Sequence, residues 1–168
     1  MDFEDVVKRR TATRKFKDEQ VDKEIINKIL EIGRLAPTAK NLQPQKIYVV
    51  RSKDGLDKID KVSPCRYNAP TVLLVCSDKN IAWSKDAYST YEMDATIVAT
   101  HLMLAATNFG VDNIWVEMFD KDILKREFGL EENIEPICLI PIGYVSDDYT
   151  GDPLHNQRKE LSEIVKYI

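Results

Sequence analysis

Histidine is scarce in this chain, with only His101 and His155, and neither stands at ligand spacing from the other or from a cysteine. A zinc site needs several such ligands converging on one point, so no metal is expected. A nucleophilic triad would have to draw on the same two rings, and no G-x-S-x-G elbow is present. No G-x-G-x-x-G follows a strand-like run, and no G-x-x-x-x-G-K-[ST] occurs, so the common nucleotide fingerprints are missing. Asp86, Glu92 and Asp94 are carboxylates without a diagnostic pairing. An enzyme with this inventory needs a cofactor to carry the hard chemistry, and no side chain stands out as catalytic.

Other absences narrow the class further. The three cysteines, Cys65, Cys76 and Cys138, have no C-x-x-C spacing, and two of them sit in apolar runs. They read as small buried hydrophobes in a reducing compartment. The purely apolar runs are only strand-length, so no membrane partner is expected. The N-terminal stretch lacks a signal-peptide core, which makes a cytoplasmic location the default expectation. A net charge of −4 argues against a general nucleic-acid binder. Without repeats or a low-complexity tract, residues 1–168 read as a single domain.

What is present is an ordinary folded chain, 43% apolar and 31% charged. At this length roughly two-thirds of the unfolded surface can be buried. Phe3, Val6 and Val7 predict a short helix ending near Arg9 or Arg10. Asp22 reads as the cap of a second, with Ile25, Ile26, Ile29, Leu30 and Ile32 as its stripe and Pro37 forcing a stop near Ala36. Strands are predicted over 47–50, 71–76, 113–119 and 135–144, with helices over 54–62 and after Asp120. Tyr88 to Phe109 is the longest helical pattern, with Gly110 as its stop. The order is that of an α+β mixture, without doubly wound alternation.

Within the long helix, DATIVATHLMLAA is apolar on nearly every side. Such a helix is covered either inside a large core or at a subunit interface. The pattern therefore favours a homodimer built around it, with a sandwiched helix in a monomer as the alternative. His101, inside this run, reads as a core or interface histidine.

Two segments carry chemistry. Arg9, Arg10, Arg14 and Lys15 place four cations within seven residues, interleaved with Thr11 and Thr13. Guanidinium forks and hydroxyls suit a phosphate monoester, although basic residues also gather at helix C-termini through the dipole alone. The loop APTAKNLQPQ then offers two prolines and the amides Asn41, Gln43 and Gln45. It can present fixed polar groups to a planar, hydrogen-bonding ring, or it can be an ordinary connection.

Together these segments resemble the nitroreductase family. The N-terminal signature reads R-T-A-T-R-K-F (10–16) and the next reads A-P-T-A-K-N-L-Q-P (36–44). I-W-V-E-M-F-D with R-E-F-G-L, then I-P-I-G-Y and a late Arg158, follow in family order. The resemblance implies an α+β nitroreductase-like fold: a mixed central sheet flanked by helices, in an intertwined homodimer with FMN at the subunit interface. It implies that Arg10, Thr11, Ala12 and Arg14 hold the phosphate, ribityl chain and pyrimidine edge. Pro37, Thr38, Ala39 and Asn41 would reach the same flavin from the partner. Glu117 and Met118 would offer backbone N–H groups at the flavin's reactive edge, and Arg158 would close on the phosphate. NADH or NADPH would be the reductant and a small organic molecule the acceptor.

The sequence departs from the family pattern in places. Ala12 stands where serine is common, Lys40 replaces a frequent glycine, Gln45 a frequent aromatic, and Met118 a glycine. The chain is also short for the family, so the insertions that shape substrate lids are expected to be missing.

Overall fold

The computed structural model describes residues 2–168 and has three layers, helices on both faces of a four-stranded sheet. The strands are β1 (Gln45–Val50), β2 (Thr71–Asp78), β5 (Asp112–Asn113) and β6 (Ile134–Gly143), in the order β1-β2-β6-β5. Every ladder is antiparallel. The mixed character that the resemblance implies is confined to one parallel bridge, Ala12 to Asn113. Two short strands, β3 (Ser84–Lys85) and β4 (Tyr88–Ser89), form a separate hairpin.

The central strands show why three layers form. β2 is buried along its whole length, and its side chains alternate between the two faces. Leu73 and Val75 join Ile140 and Ile142 on one face, while Val72, Leu74 and Cys76 join Leu139 on the other. The first core is closed by α2 (Lys23–Arg34) and α4 (Tyr91–Asn108), the second by α3 (Lys53–Val62) and α5 (Lys121–Phe128). A bulge between Val75 and Cys76 leaves Ile137 of β6 without a partner across the ladder. Bulges of this kind re-aim a side chain, and Ile137 turns to line a cleft described below.

Local signals set most helix ends. Asp22 caps α2 through the Glu24 N–H, and Asp120 caps α5 through the Ile123 N–H. α1 (Phe3–Arg9) is capped by Asp2 and carries acidic residues in its first turn and basic ones in its last. α4 ends before Gly110, whose φ of +75° continues the chain where an L residue would be strained. α2 packs on α4 so closely that a Cβ at Gly33 would lie 2.4 Å from Leu102 Cδ2.

α4 starts three residues later than the hydropathy pattern suggests and is not covered all round. Ala95, Val98, Ala99, Leu102, Ala105 and Ala106 are buried against α2 and the sheet. On the opposite side Met93, Thr96 and Thr100 are exposed and Ile97, His101 and Leu104 are only half-buried, so among the described residues this side is incompletely covered. The predicted strand over 113–119 shortens to β5 plus a single bridge, Val116 to Leu139.

Candidate functional site

The basic segment leaves α1 and runs along the C-terminal end of α4. Thr13 N–H donates to the Asn113 carbonyl, and Asn113 Nδ2 donates in turn to Thr107 Oγ1 on α4. Thr11 and Arg9 line a small polar hollow with Thr107 and the turn 110–113. Along this segment Arg10, Thr11 and Ala12 are half-buried and Arg14 is exposed.

Arg158 comes to the same place from the other end of the chain. The Arg10 guanidinium is held below its usual range, first by partial burial and then by the positive charge of Arg158, against a weaker opposing pull from Asp152. Two guanidiniums within electrostatic reach of each other can share an anion. Val7, Lys8, His155, Asn156 and Arg158 border a cleft of about 240 Å³ beside them. His155 Nδ1 is buried there without a partner, while its Nε2 lies 2.9 Å from the Lys8 carbonyl.

Arg14 is engaged differently. Its Nη1 donates to Asp152 Oδ2 at 2.7 Å. The Asp152 bond raises Arg14 and lowers Asp152 from their ordinary values. Tyr149 OH donates to the Ala12 carbonyl at 2.9 Å, Lys15 pairs with Asp148 and Lys17 with Asp147. The tail after β6 is thus laced across the basic segment. None of Asp147, Asp148, Tyr149 and Asp152 announces this role, because each is remote in sequence from the residue it holds.

The loop 37–43 lies elsewhere. Ala39 N–H donates to Asp94 Oδ1 at 2.8 Å, which ties the loop to the first turns of α4. Thr38 Oγ1 accepts the Gln43 N–H, and the Lys40 ammonium sits over the Trp83 ring, 5.6 Å from its centre. A 3₁₀ turn spans Ala39–Asn41. The two anchor points on α4, Asp94 and Thr107, are thirteen residues apart, about 20 Å along a helix. One copy of the chain therefore does not bring Pro37, Thr38, Ala39 and Asn41 to Arg10.

Glu117 and Met118 follow the Val116 bridge, where the strand leaves β6. Val116 exchanges both hydrogen bonds with Leu139, so the alternation of an antiparallel pair turns the Glu117 N–H away from the sheet. The Glu117 carboxylate accepts from Trp115 Nε1 at 2.8 Å, and Met118 is exposed. Glu117 lines a cleft of about 260 Å³ with Glu92, Thr96, Lys121 and Ile137. Glu92 and Thr96 belong to the uncovered side of α4, so this cleft opens along that side.

Cys76 and Cys138 are buried, and burial pushes the Cys76 thiol up to about 12 and that of Cys138 higher still. Neither supplies a thiolate nucleophile near neutral pH. His101 Nδ1 lies 2.8 Å from the Ile97 carbonyl. Among the described residues no group of three or more His, Cys, Asp or Glu side chains is placed to hold a metal, and no helix is long and apolar enough to cross a membrane.

The fold is α+β, with a basic segment at one end of a central helix and a polar loop at the other. The Nitroreductase family profile matches residues 7–67 and 63–144, and the chain belongs to that family. A crystal structure of a nitroreductase family protein from Clostridium difficile 630 superposes with a TM-score of 0.92 at 38% identity, covering 99% of this chain and 98% of that one. The two therefore share their short length. A Methanothermobacter thermautotrophicus protein, provisionally assigned as an NADH dehydrogenase/NAD(P)H nitroreductase, is 28% identical over 155 residues, 88% of this chain and 80% of its own. A nitroreductase-like structure from Exiguobacterium sibiricum 255-15, solved in complex with FMN, has the same fold, with a TM-score of 0.88 at 22% identity over 100% of this chain and 98% of that one.

Proposed function

We propose that the protein is an FMN-dependent oxidoreductase that passes two electrons from NADH or NADPH to an organic acceptor such as a nitroaromatic or a quinone, and that it works as a homodimer. The observation that carries this reading is that, in a chain of the Nitroreductase family, the basic segment is pinned to the tail that bears Arg158 through Arg14–Asp152 and Tyr149–Ala12. Arg10 and Arg158 would take the phosphate, helped by Thr11 and the Ala12 backbone. Arg14, tethered by Asp152, would border the ribityl and pyrimidine side. The Glu117 and Met118 N–H groups would meet the reactive edge. When bound, FMN supplies the hydride-accepting ring. The chain contributes position and charge, since cations near a ring that gains negative charge on reduction stabilise that state.

The split site supports the homodimer. Pro37, Thr38, Ala39 and Asn41 reach an Arg10 cluster only if a second α4 lies antiparallel against the first. The uncovered side of α4 offers the surface for this, and the Glu117 cleft opens along it. The apolar tail supports the same reading: Leu161, Ile164, Tyr167 and Ile168 are all exposed in the single chain. The archaeal relative's provisional assignment supports a nicotinamide reductant, and the FMN complex of the Exiguobacterium protein supports the cofactor.

The test is the visible spectrum of the purified protein, before and after adding each nicotinamide without oxygen. A flavin band that bleaches with NADH or NADPH is the expected result. No band after reconstitution with FMN would sink the reading. A band that neither nicotinamide bleaches would favour a flavin-binding protein with a storage or sensing role.

A further inference from the structure

We infer that Asp94 is the positioning residue for the loop 38–43 and that it serves the flavin site of the partner subunit, an inference that rests on the dimeric reading above. Asp94 is 2% exposed, and a polar group buried so deeply needs a partner for each oxygen. Oδ1 accepts the Ala39 N–H and Oδ2 accepts the Thr90 hydroxyl, both at 2.8 Å. Its place in the first turns of α4 adds the favourable field of the helix N-terminus.

The loop needs such an anchor. Lys40, Asn41 and Gln43 have φ of +49°, +56° and +53°, a left-handed region that L side chains occupy at a cost. The bonds from Asn41 and Gln43 to Thr38 lie inside the loop and cannot place it on the helix. Asp94 does, and through Thr90 it also fixes the turn that carries Trp83, since Thr90 N–H donates to the Trp83 carbonyl. Lys40 over the Trp83 ring closes the unit. The loop and its own Arg10 sit at opposite ends of α4, so whatever Asp94 holds in register serves a site whose phosphate pocket belongs to the other chain.

Three preparations test this by FMN titration: Arg10→Ala, Asp94→Ala, and a heterodimer of the two, isolated by tandem tags after co-expression. Each homodimer should bind FMN about ten- to a hundred-fold more weakly, the range for one lost charged hydrogen bond. The heterodimer carries both defects in one site and none in the other, so it should bind one FMN per dimer with wild-type affinity. No FMN binding by the wild-type protein would remove the flavin reading itself, whereas full FMN affinity in the Arg10→Ala homodimer would place the phosphate away from Arg10 and overturn the crossed pairing of loop and pocket. Loss in Arg10→Ala without loss in Asp94→Ala would overturn the role of Asp94 alone. Loss in both homodimers without recovery in the heterodimer would show that Asp94 acts within its own chain. Asp94→Asn, whose amide can accept from Ala39 and donate to Thr90, should restore most of the affinity. If Asp94→Ala folds poorly, Thr90→Val gives the same test: a few-fold weakening recovered in the heterodimer, with no weakening counting against the proposal.

Discussion

The two ends of α4 are built on different physics. At its C-terminal end the basic segment and the tail meet in water, held by Arg14–Asp152, Lys15–Asp148 and Lys17–Asp147. At its N-terminal end one buried carboxylate holds a loop whose backbone is strained at three residues. Exposed pairs are individually weak and screened by salt. A buried carboxylate with both oxygens paired is insensitive to salt and intolerant of losing a partner. The first end can adjust around an anion; the second presents fixed geometry.

The sharpest way to break this comparison is to damage the helix that both ends share. Leu102→Ala removes a fully buried side chain wedged against Gly33. It should cost about 2–5 kcal/mol and lower the unfolding midpoint in urea. Flavin retention should fall only because the fold does, whatever the salt.

Arg10→Ala should act the other way, with FMN retention lost and thermal stability nearly unchanged. The residual difference from wild type should shrink as salt rises, since the charge lost is one that salt screens. Equal FMN affinity in that variant, by fluorescence titration, would mean the phosphate is elsewhere.

A smaller effect is expected from pH. Asp152 is held below its ordinary value by Arg14, so the tether is complete above the ordinary aspartate range, near pH ~3.9. It is lost as the pH falls through the lowered value, and the tail should then become more sensitive to an acid-active protease. Asp152→Asn should reproduce that sensitivity at neutral pH while leaving global stability nearly unchanged. A tail equally resistant in the variant would show that Tyr149 and the Lys15 and Lys17 pairs suffice.

The smallest change is expected from Lys40→Gly. Relieving the positive φ should stabilise by about 1 kcal/mol, and losing the contact with Trp83 should cost about as much. A melting temperature within a few degrees of wild type checks this balance. A large loss would identify the cation over the ring as the main support of the loop.

Much of the fold was legible because its signals are local. Asp22 and Asp120 cap the helices they precede, Gly110 follows the end of α4, and the apolar runs at 71–76 and 135–144 became the buried strands β2 and β6. The strand expected over 113–119 shortened because only β5 and Val116 pair with β6. The Ser84–Ser89 hairpin went unread because its strands are two residues each.

The resemblance assigned Arg10, Thr11, Ala12 and Arg14 to the phosphate, ribityl chain and pyrimidine edge and Arg158 to the phosphate; in the structure the basic segment is tied to the tail that carries Arg158 through Arg14–Asp152 and Tyr149–Ala12. Asp94, by contrast, stood among scattered carboxylates, because a bond to Ala39 across 55 residues leaves no mark on spacing.

By itself the sequence determined what periodicity and residue chemistry dictate: the α+β order, the buried strands, the helix caps, the family, and a cationic segment suited to phosphate. Only the tertiary structure decided that the two halves of the candidate site lie at opposite ends of one helix, that the tail pairs with the basic segment, and that a single buried aspartate holds the loop. The reason is physical. Helix caps and hydrophobic stripes act within a few residues, whereas the distance along α4 and the partners of Asp94 and Asp152 exist only once remote segments have packed.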